Sequence, residues 1–133
     1  MGGVTTTENN PAQERLRTAR TVWLCAAGAE GPPLVRATWF VFLEGVWWIG
    51  AAAGGALVRL LERRPRATLA LDGPEPLVAE GDARLHRTGF PARVRESFLA
   101  KYGWDPAIPA RPGERRVLLE IAVRDWVPAS LTD

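Results

Sequence analysis

One cysteine, one histidine, one lysine and one tyrosine stand among the 133 residues of this chain. With Cys25 alone there is no internal disulfide, and with His86 the only histidine there is no Cys/His spacing of the metal-binding kind, so no metal is expected. A lone thiol suits a strand residue in a reducing cytoplasm, the expected location. No Ser/His/Asp arrangement is present, so the catalytic residues stay unassigned. Between Arg36 and Arg59 the only charge is Glu44, but Gly45, Gly50, Gly54 and Gly55 break that run and no membrane helix is expected. The opening MGGVTTTENN has neither a basic region nor an apolar core, so neither signal peptide nor anchor is expected. Net charge is only +2 and the basic residues are interleaved with acids, which removes nucleic acid from the expected partners.

What remains is rich in β signal. A mass of 14.6 kDa suits one domain with a real core, read as a flexible tail over residues 1–10 and a single domain over 11–133. Asn10 can cap and Pro11 start a helix through about Ala19, with Ala12, Leu16 and Ala19 on one face. Thr21–Ala27 and Leu34–Phe42 read as a hairpin around Gly28-Ala-Glu-Gly31. In its second arm Val35, Ala37, Trp39 and Val41 point one way, and Leu34, Arg36, Thr38, Phe40 and Phe42 the other. Arg36 and Thr38 therefore share a face and could address one ligand. Further strands are expected over Val46–Gly50, Arg66–Asp72, Leu77–Leu85 and Arg115–Val123, with a helix from about Pro91 to Tyr102. Six strands in mainly hairpin order, with two or three short helices, predict a mainly β fold: a small antiparallel barrel, in which closure removes exposed edges.

The stretch Trp47–Pro65, WWIGAAAGGALVRLLERRP, reads as strand, small-residue loop and short helix, an arrangement that can cradle a phosphate on backbone N–H groups. Yet no Lys, Arg, Ser or Thr lies between Ile49 and Val58.

These segments together resemble the pyridoxamine 5′-phosphate oxidase-like flavin/deazaflavin reductases. The resemblance rests on Val22-Trp-Leu-Cys-Ala-Ala27, Leu34-Val-Arg-Ala-Thr-Trp-Phe-Val-Phe42, Trp47-Trp-Ile-Gly50, Val58-Arg-Leu-Leu-Glu-Arg-Arg-Pro65 and Val78-Ala-Glu-Gly-Asp-Ala-Arg84. Phe98-Leu-Ala-Lys-Tyr-Gly-Trp-Asp105 and Arg116-Val-Leu-Leu-Glu-Ile121 extend it over roughly Arg17 to Val127. The family implies an FMN-binding split β-barrel of Greek-key type, a homodimer with FMN or the deazaflavin coenzyme F-420 in a groove between subunits, and oxidoreduction of a small molecule. Carried over, Arg36, Thr38 and Trp39 fall on the cofactor-lining strand. In this chain Gly54, Gly55, Ala56 and Arg59 are the residues expected at the phosphate, and Trp47, Trp48 and Tyr102 are the expected substrate-pocket residues.

The loop departs from the family. Where a hydroxyl and basic residues are usual it has Ala51, Ala53, Gly55 and Leu57. Losing a cationic phosphate contact removes charge-assisted hydrogen bonds worth roughly 1.5–3 kcal/mol each. Two readings follow: backbone amides with Arg59, Arg111 or Arg116 compensate, or the pocket has dropped the flavin and binds or transforms a hydrophobic small molecule with no cofactor at all.

Overall fold

The structure is a computed structural model that describes residues 11–28 and 30–127. The tail expected over 1–10 lies outside the described residues. Helix α1 spans Pro11–Thr18, β1 Val22–Ala26, β2 Leu34–Thr38, β3 Val41–Leu43, β4 Val46–Ala52 and α2 Ala56–Arg63. Strand β5 follows over Arg66–Leu71, β6 over Leu77–His86, α3 over Ala92–Tyr102 and β7 over Arg116–Trp126. All pairings are antiparallel, in the order β2-β1-β5-β6-β7-β4-β3.

Among the described residues there are seven strands rather than six, because the arm read as one strand over Leu34–Phe42 is two. Its first half pairs with β1 (Val22 opposite Thr38) and its second with β4 (Val41 opposite Trp48). These halves are the two ends of the sheet, so the short step through Trp39 and Phe40 brings edge to edge and the sheet curls into a half-barrel. The alternation of side chains survives the step. Phe40 and Phe42 join the core on one face, and Val41 and Leu43 pack on the other.

Period-two patterning explains the inner core. Val22, Leu24 and Ala26 of β1, Trp47 and Ile49 of β4, Leu69 and Leu71 of β5, and Leu119 and Ile121 of β7 are buried together. Helix α2 adds Leu57, Val58 and Leu61, its one apolar stripe, and ends at Arg63 just before Pro65. A smaller outer core forms where α3 lays Val94 and Phe98 on Val41, Trp48 and Leu118. α3 stops at Gly103, whose φ of +70° is left-handed and lets its N–H bond back to the Leu99 carbonyl.

The longest pairing, β6 with β7, shifts register between Glu80 and Gly81. There a Cβ on Gly81 would lie 2.7 Å from the Ala122 carbonyl oxygen, so only glycine allows the strands this approach. Several bounds differ from expectation: β4 runs on to Ala52, β6 to His86, and β7 occupies 116–126 because paired neighbours extend it at its C-terminal end. Among the described residues no helix is long and apolar enough to cross a membrane.

Candidate functional site

The step between β2 and β3 is tied down by the C-terminal turn of α3. The Tyr102 hydroxyl accepts a hydrogen bond from the Phe40 N–H at 3.0 Å, and lies 2.8 Å from the Arg20 carbonyl and 3.0 Å from that of Phe40, to which it can donate. Lys101 Nζ donates to the same Phe40 carbonyl at 3.1 Å, and Arg20 Nη1 donates to the Lys101 carbonyl at 2.7 Å. The Trp39 ring stacks on Tyr102 at 4.4 Å with an interplanar angle of 5°, while the Arg20 guanidinium lies over Tyr102 at 4.6 Å. Tyr102 was expected as a pocket wall. Its ring and hydroxyl instead hold the backbone that a ladder would otherwise satisfy.

Burial perturbs this node. It pushes the Tyr102 phenol up, and it pushes Lys101 down to about 8, with the positive charge of Arg20 adding to the effect. Lys101 and Arg20 were not singled out from sequence. Lys101 being the only lysine is the one signal that was available.

The residues expected at the cofactor separate into two groups. Arg36 and Thr38 do share the inner face of β2, opposite the buried Leu24 and Val22. Thr38 Oγ1 is buried and has no hydrogen-bond partner, an omission that costs about 1–3 kcal/mol when nothing fills it. Arg36 is exposed and, among the described residues, has no ion-pair or hydrogen-bond partner. Glu44 pairs instead with Arg93 at 3.4 Å, and Asp82 with Arg66 at 3.6 Å. An unpartnered hydroxyl and an unpartnered guanidinium two residues apart on one strand face make a candidate ligand edge.

Trp39 is the exception on that strand, turned to the other face against Tyr102 and Trp104. Trp47 and Trp48 are not open walls. Trp47 is sealed in the inner core against Phe40 and Phe42, and Trp48 lies beneath α3, which follows from their opposite parity on β4.

The loop after β4 has Gly55 at the helix N-cap position in extended conformation, without a side-chain cap. Space around Gly54 is open, and the Gly55 N–H bonds the Ala52 carbonyl at 3.0 Å. Arg59 does not reach outward: its Nη1 donates to the Gly54 carbonyl at 2.5 Å. The loop therefore has no hydroxyl, and its one guanidinium is turned back on itself. The polar groups present fit the ring edge of a flavin-like ligand, through Arg36 and Thr38, and do not form the cationic phosphate grip of the family.

His86 is the last residue of β6. Its Nε2 sits 2.7 Å from Glu120 Oε1 and its ring lies against Trp48. Among the described residues no group of His, Cys, Asp and Glu could hold a metal.

The pyridoxamine 5′-phosphate oxidase family model matches residues 10–127. Among solved structures, one described as an F-420 reductase superposes with a TM-score of 0.68 at 16% identity, covering 86% of this chain and 94% of its own. HutZ, the haem storage protein of Vibrio cholerae, superposes with 0.68 at 16% identity over 87% of this chain and 90% of its own. A pyridoxamine 5′-phosphate oxidase-related FMN-binding protein of Nostoc punctiforme reaches 0.58 at 17% identity over 84% and 78%. At these identities the likeness is one of fold. No curated protein matches the sequence.

The Lys101 shift sets a pH dependence. In the unfolded chain the amine titrates near 10.5, in the folded chain near 8, so the folded state binds fewer protons in between. Stability should therefore rise with pH from about 8 toward 10, and fall back as pH drops through 8. Urea unfolding at a series of pH values checks this: the rise should be present in the native protein and absent in Lys101→Met. A native profile that is flat or falling across that window contradicts the assignment.

Proposed function

Since the chain belongs to the pyridoxamine 5′-phosphate oxidase family, matched over residues 10–127, we propose that it is a flavin- or deazaflavin-dependent oxidoreductase acting on a small molecule, as a cytoplasmic homodimer. The observation that carries this reading is the buried, unpartnered Thr38 Oγ1 beside the unpartnered Arg36. A wholly apolar occupant would leave the Thr38 hydroxyl unsatisfied, which counts against the hydrophobic-ligand alternative. FMN and F-420 are the two cofactors in question because neighbours of the same fold are described as an FMN-binding protein and an F-420 reductase.

When bound, such a cofactor supplies a ring that takes up and releases hydride. The chain's own contribution is to bind and orient. Thr38 Oγ1 would donate to, or accept from, a polar atom on the ring edge, and the Arg36 guanidinium would stabilise negative charge that develops there on reduction. Trp39, Phe40 and Tyr102 hold β2 at the angle that presents both groups. With Arg59 held by the Gly54 carbonyl and the Gly55 N–H by the Ala52 carbonyl, phosphate at the loop would rest on the backbone N–H groups of Gly54 and Ala56 on either side of Gly55.

The second subunit is argued from exposed apolar area. On the outer face of the β1–β2 edge, Trp23 is 45% and Val35 58% exposed, with Ala37 opposite Trp23 completing the patch. An edge strand carrying such a face is suited to cover by a second copy. Sedimentation should give twice the chain mass of 14.6 kDa, and Trp23→Glu should shift it to the monomer. A native monomer would overturn the homodimer.

The redox reading is checked by the visible spectrum of the purified protein and by titration with FMN and reduced F-420. Binding of one of them at micromolar concentration is expected. Arg36→Ala should weaken it about tenfold or more, the loss of one charge-assisted hydrogen bond. A colourless protein that binds neither would sink the proposal, and unchanged affinity in Arg36→Ala would remove Arg36 from the site.

A further inference from the structure

The positive charge that the loop lacks is gathered on the opposite face of the sheet. Arg36 stands across from Leu24 of the inner core, whereas Arg116 stands two residues before Leu118, which packs in the outer core under α3. Around Arg116 a hollow of about 600 Å³ opens between the start of β7, the turn after β6 and α3. That volume is of the size that takes a small molecule. Its lining residues include Arg87, Arg95, Arg115 and Arg116, Thr88 and Phe90, together with Ala53 of the loop, and no Asp or Glu among the described residues.

Three of these arginines are fixed from behind by acids that do not line the hollow. Arg87 Nη2 is paired with Glu62; Arg95 Nε and Nη2 grip Asp105, the latter at 2.7 Å; and Arg116 Nη1 bonds Glu114 at 2.8 Å. Arg116 Nε also bonds the Pro106 carbonyl at 3.3 Å, and its guanidinium lies over the Trp104 ring at 5.1 Å. The hydrogen bond from Arg95 holds the Asp105 carboxyl below its ordinary range, and hydrogen bonds from the Ala110 N–H and Arg116 do the same for Glu114. These acids orient the guanidinium groups and partly offset their mutual repulsion. They leave Arg87 Nη1, Arg95 Nη1 and Arg116 Nη2 without hydrogen-bond partners among the described residues, and the Arg115 side chain with none. Pre-oriented guanidinium groups, each with at least one terminal nitrogen free to donate, match an oxyanion carrying several acceptor oxygens.

We infer that this hollow binds the phosphate or pyrophosphate group of a small organic molecule, whose apolar part rests on Phe90. The site is separate from the Arg36–Thr38 edge and does not depend on the redox reading.

Inorganic pyrophosphate is the probe, titrated calorimetrically into the full-length protein at low salt. One equivalent should bind. Arg87→Gln with Arg115→Gln should weaken it by about tenfold or more, as charge-assisted hydrogen bonds are lost. Arg115→Gln alone, which breaks no ion pair, should weaken it in the same direction. Arg36→Ala and Arg17→Gln, a matched loss of surface charge on α1, should leave the affinity unchanged. No binding at millimolar pyrophosphate would overturn the inference. So would equal loss in Arg17→Gln, which marks diffuse charge attraction, or a loss confined to Arg36→Ala, which puts the anion at the other edge. Pyrophosphate binding without flavin binding would leave this site standing and remove the redox proposal; the reverse result would do the opposite.

Discussion

The Tyr102 hydroxyl, lodged between the Phe40 N–H and the Arg20 carbonyl, is the contact on which the rest of the structure depends. At Trp39 and Phe40 the chain changes ladder partners, from β1 to β4, and a backbone in transit between two strands has no ladder to satisfy it. The phenol supplies the missing partner to Phe40 N–H, Lys101 supplies one to the carbonyl, and Trp39 and Arg20 sandwich the ring that does so. A helix end thus holds the point at which the sheet closes on itself. Substituting that side chain would release the two edge strands from each other, and with them the orientation of Arg36 and Thr38.

From that constraint comes a division between faces. The inner face keeps one run of apolar residues, interrupted on β2 by Arg36 and Thr38, whose side-chain polar groups find no partner among the described residues. The outer face has α3 as a cover and, beside it, guanidinium groups braced by Asp105, Glu114 and Glu62. The loop Ala51–Gly55 lies between these two regions and contributes shape and backbone but no charge.

Much of the fold was legible in the sequence because period-two alternation is clear in β1, β5 and β6, because β4 and β7 carry short apolar runs, and because Gly, Pro and short polar turns separate the strands. The break at Trp39 was not legible. Side-chain alternation continues through it, and the partner that compensates the backbone, Tyr102, is 62 residues away. The shared face of Arg36 and Thr38 was readable from parity alone, as was the lack of charge in the loop. Parity also puts Trp47 and Trp48 on opposite sides of β4, so they could not wall one pocket; burial of both needed the knowledge that α3 covers the outer face. The arginine hollow was beyond the sequence because Arg87, Arg95 and Arg115 come from three separate segments that only the sheet order unites.

The central claim is that a flavin-type ring meets this chain at the Arg36–Thr38 edge. The direct measurement is an NMR titration with FMN, following backbone amides and the Thr38 methyl group. The account predicts the largest shifts over residues 34–40 and 52–57. Shifts confined to residues 87–95 and 115–116, or no shift of the Thr38 methyl at saturating FMN, would contradict it.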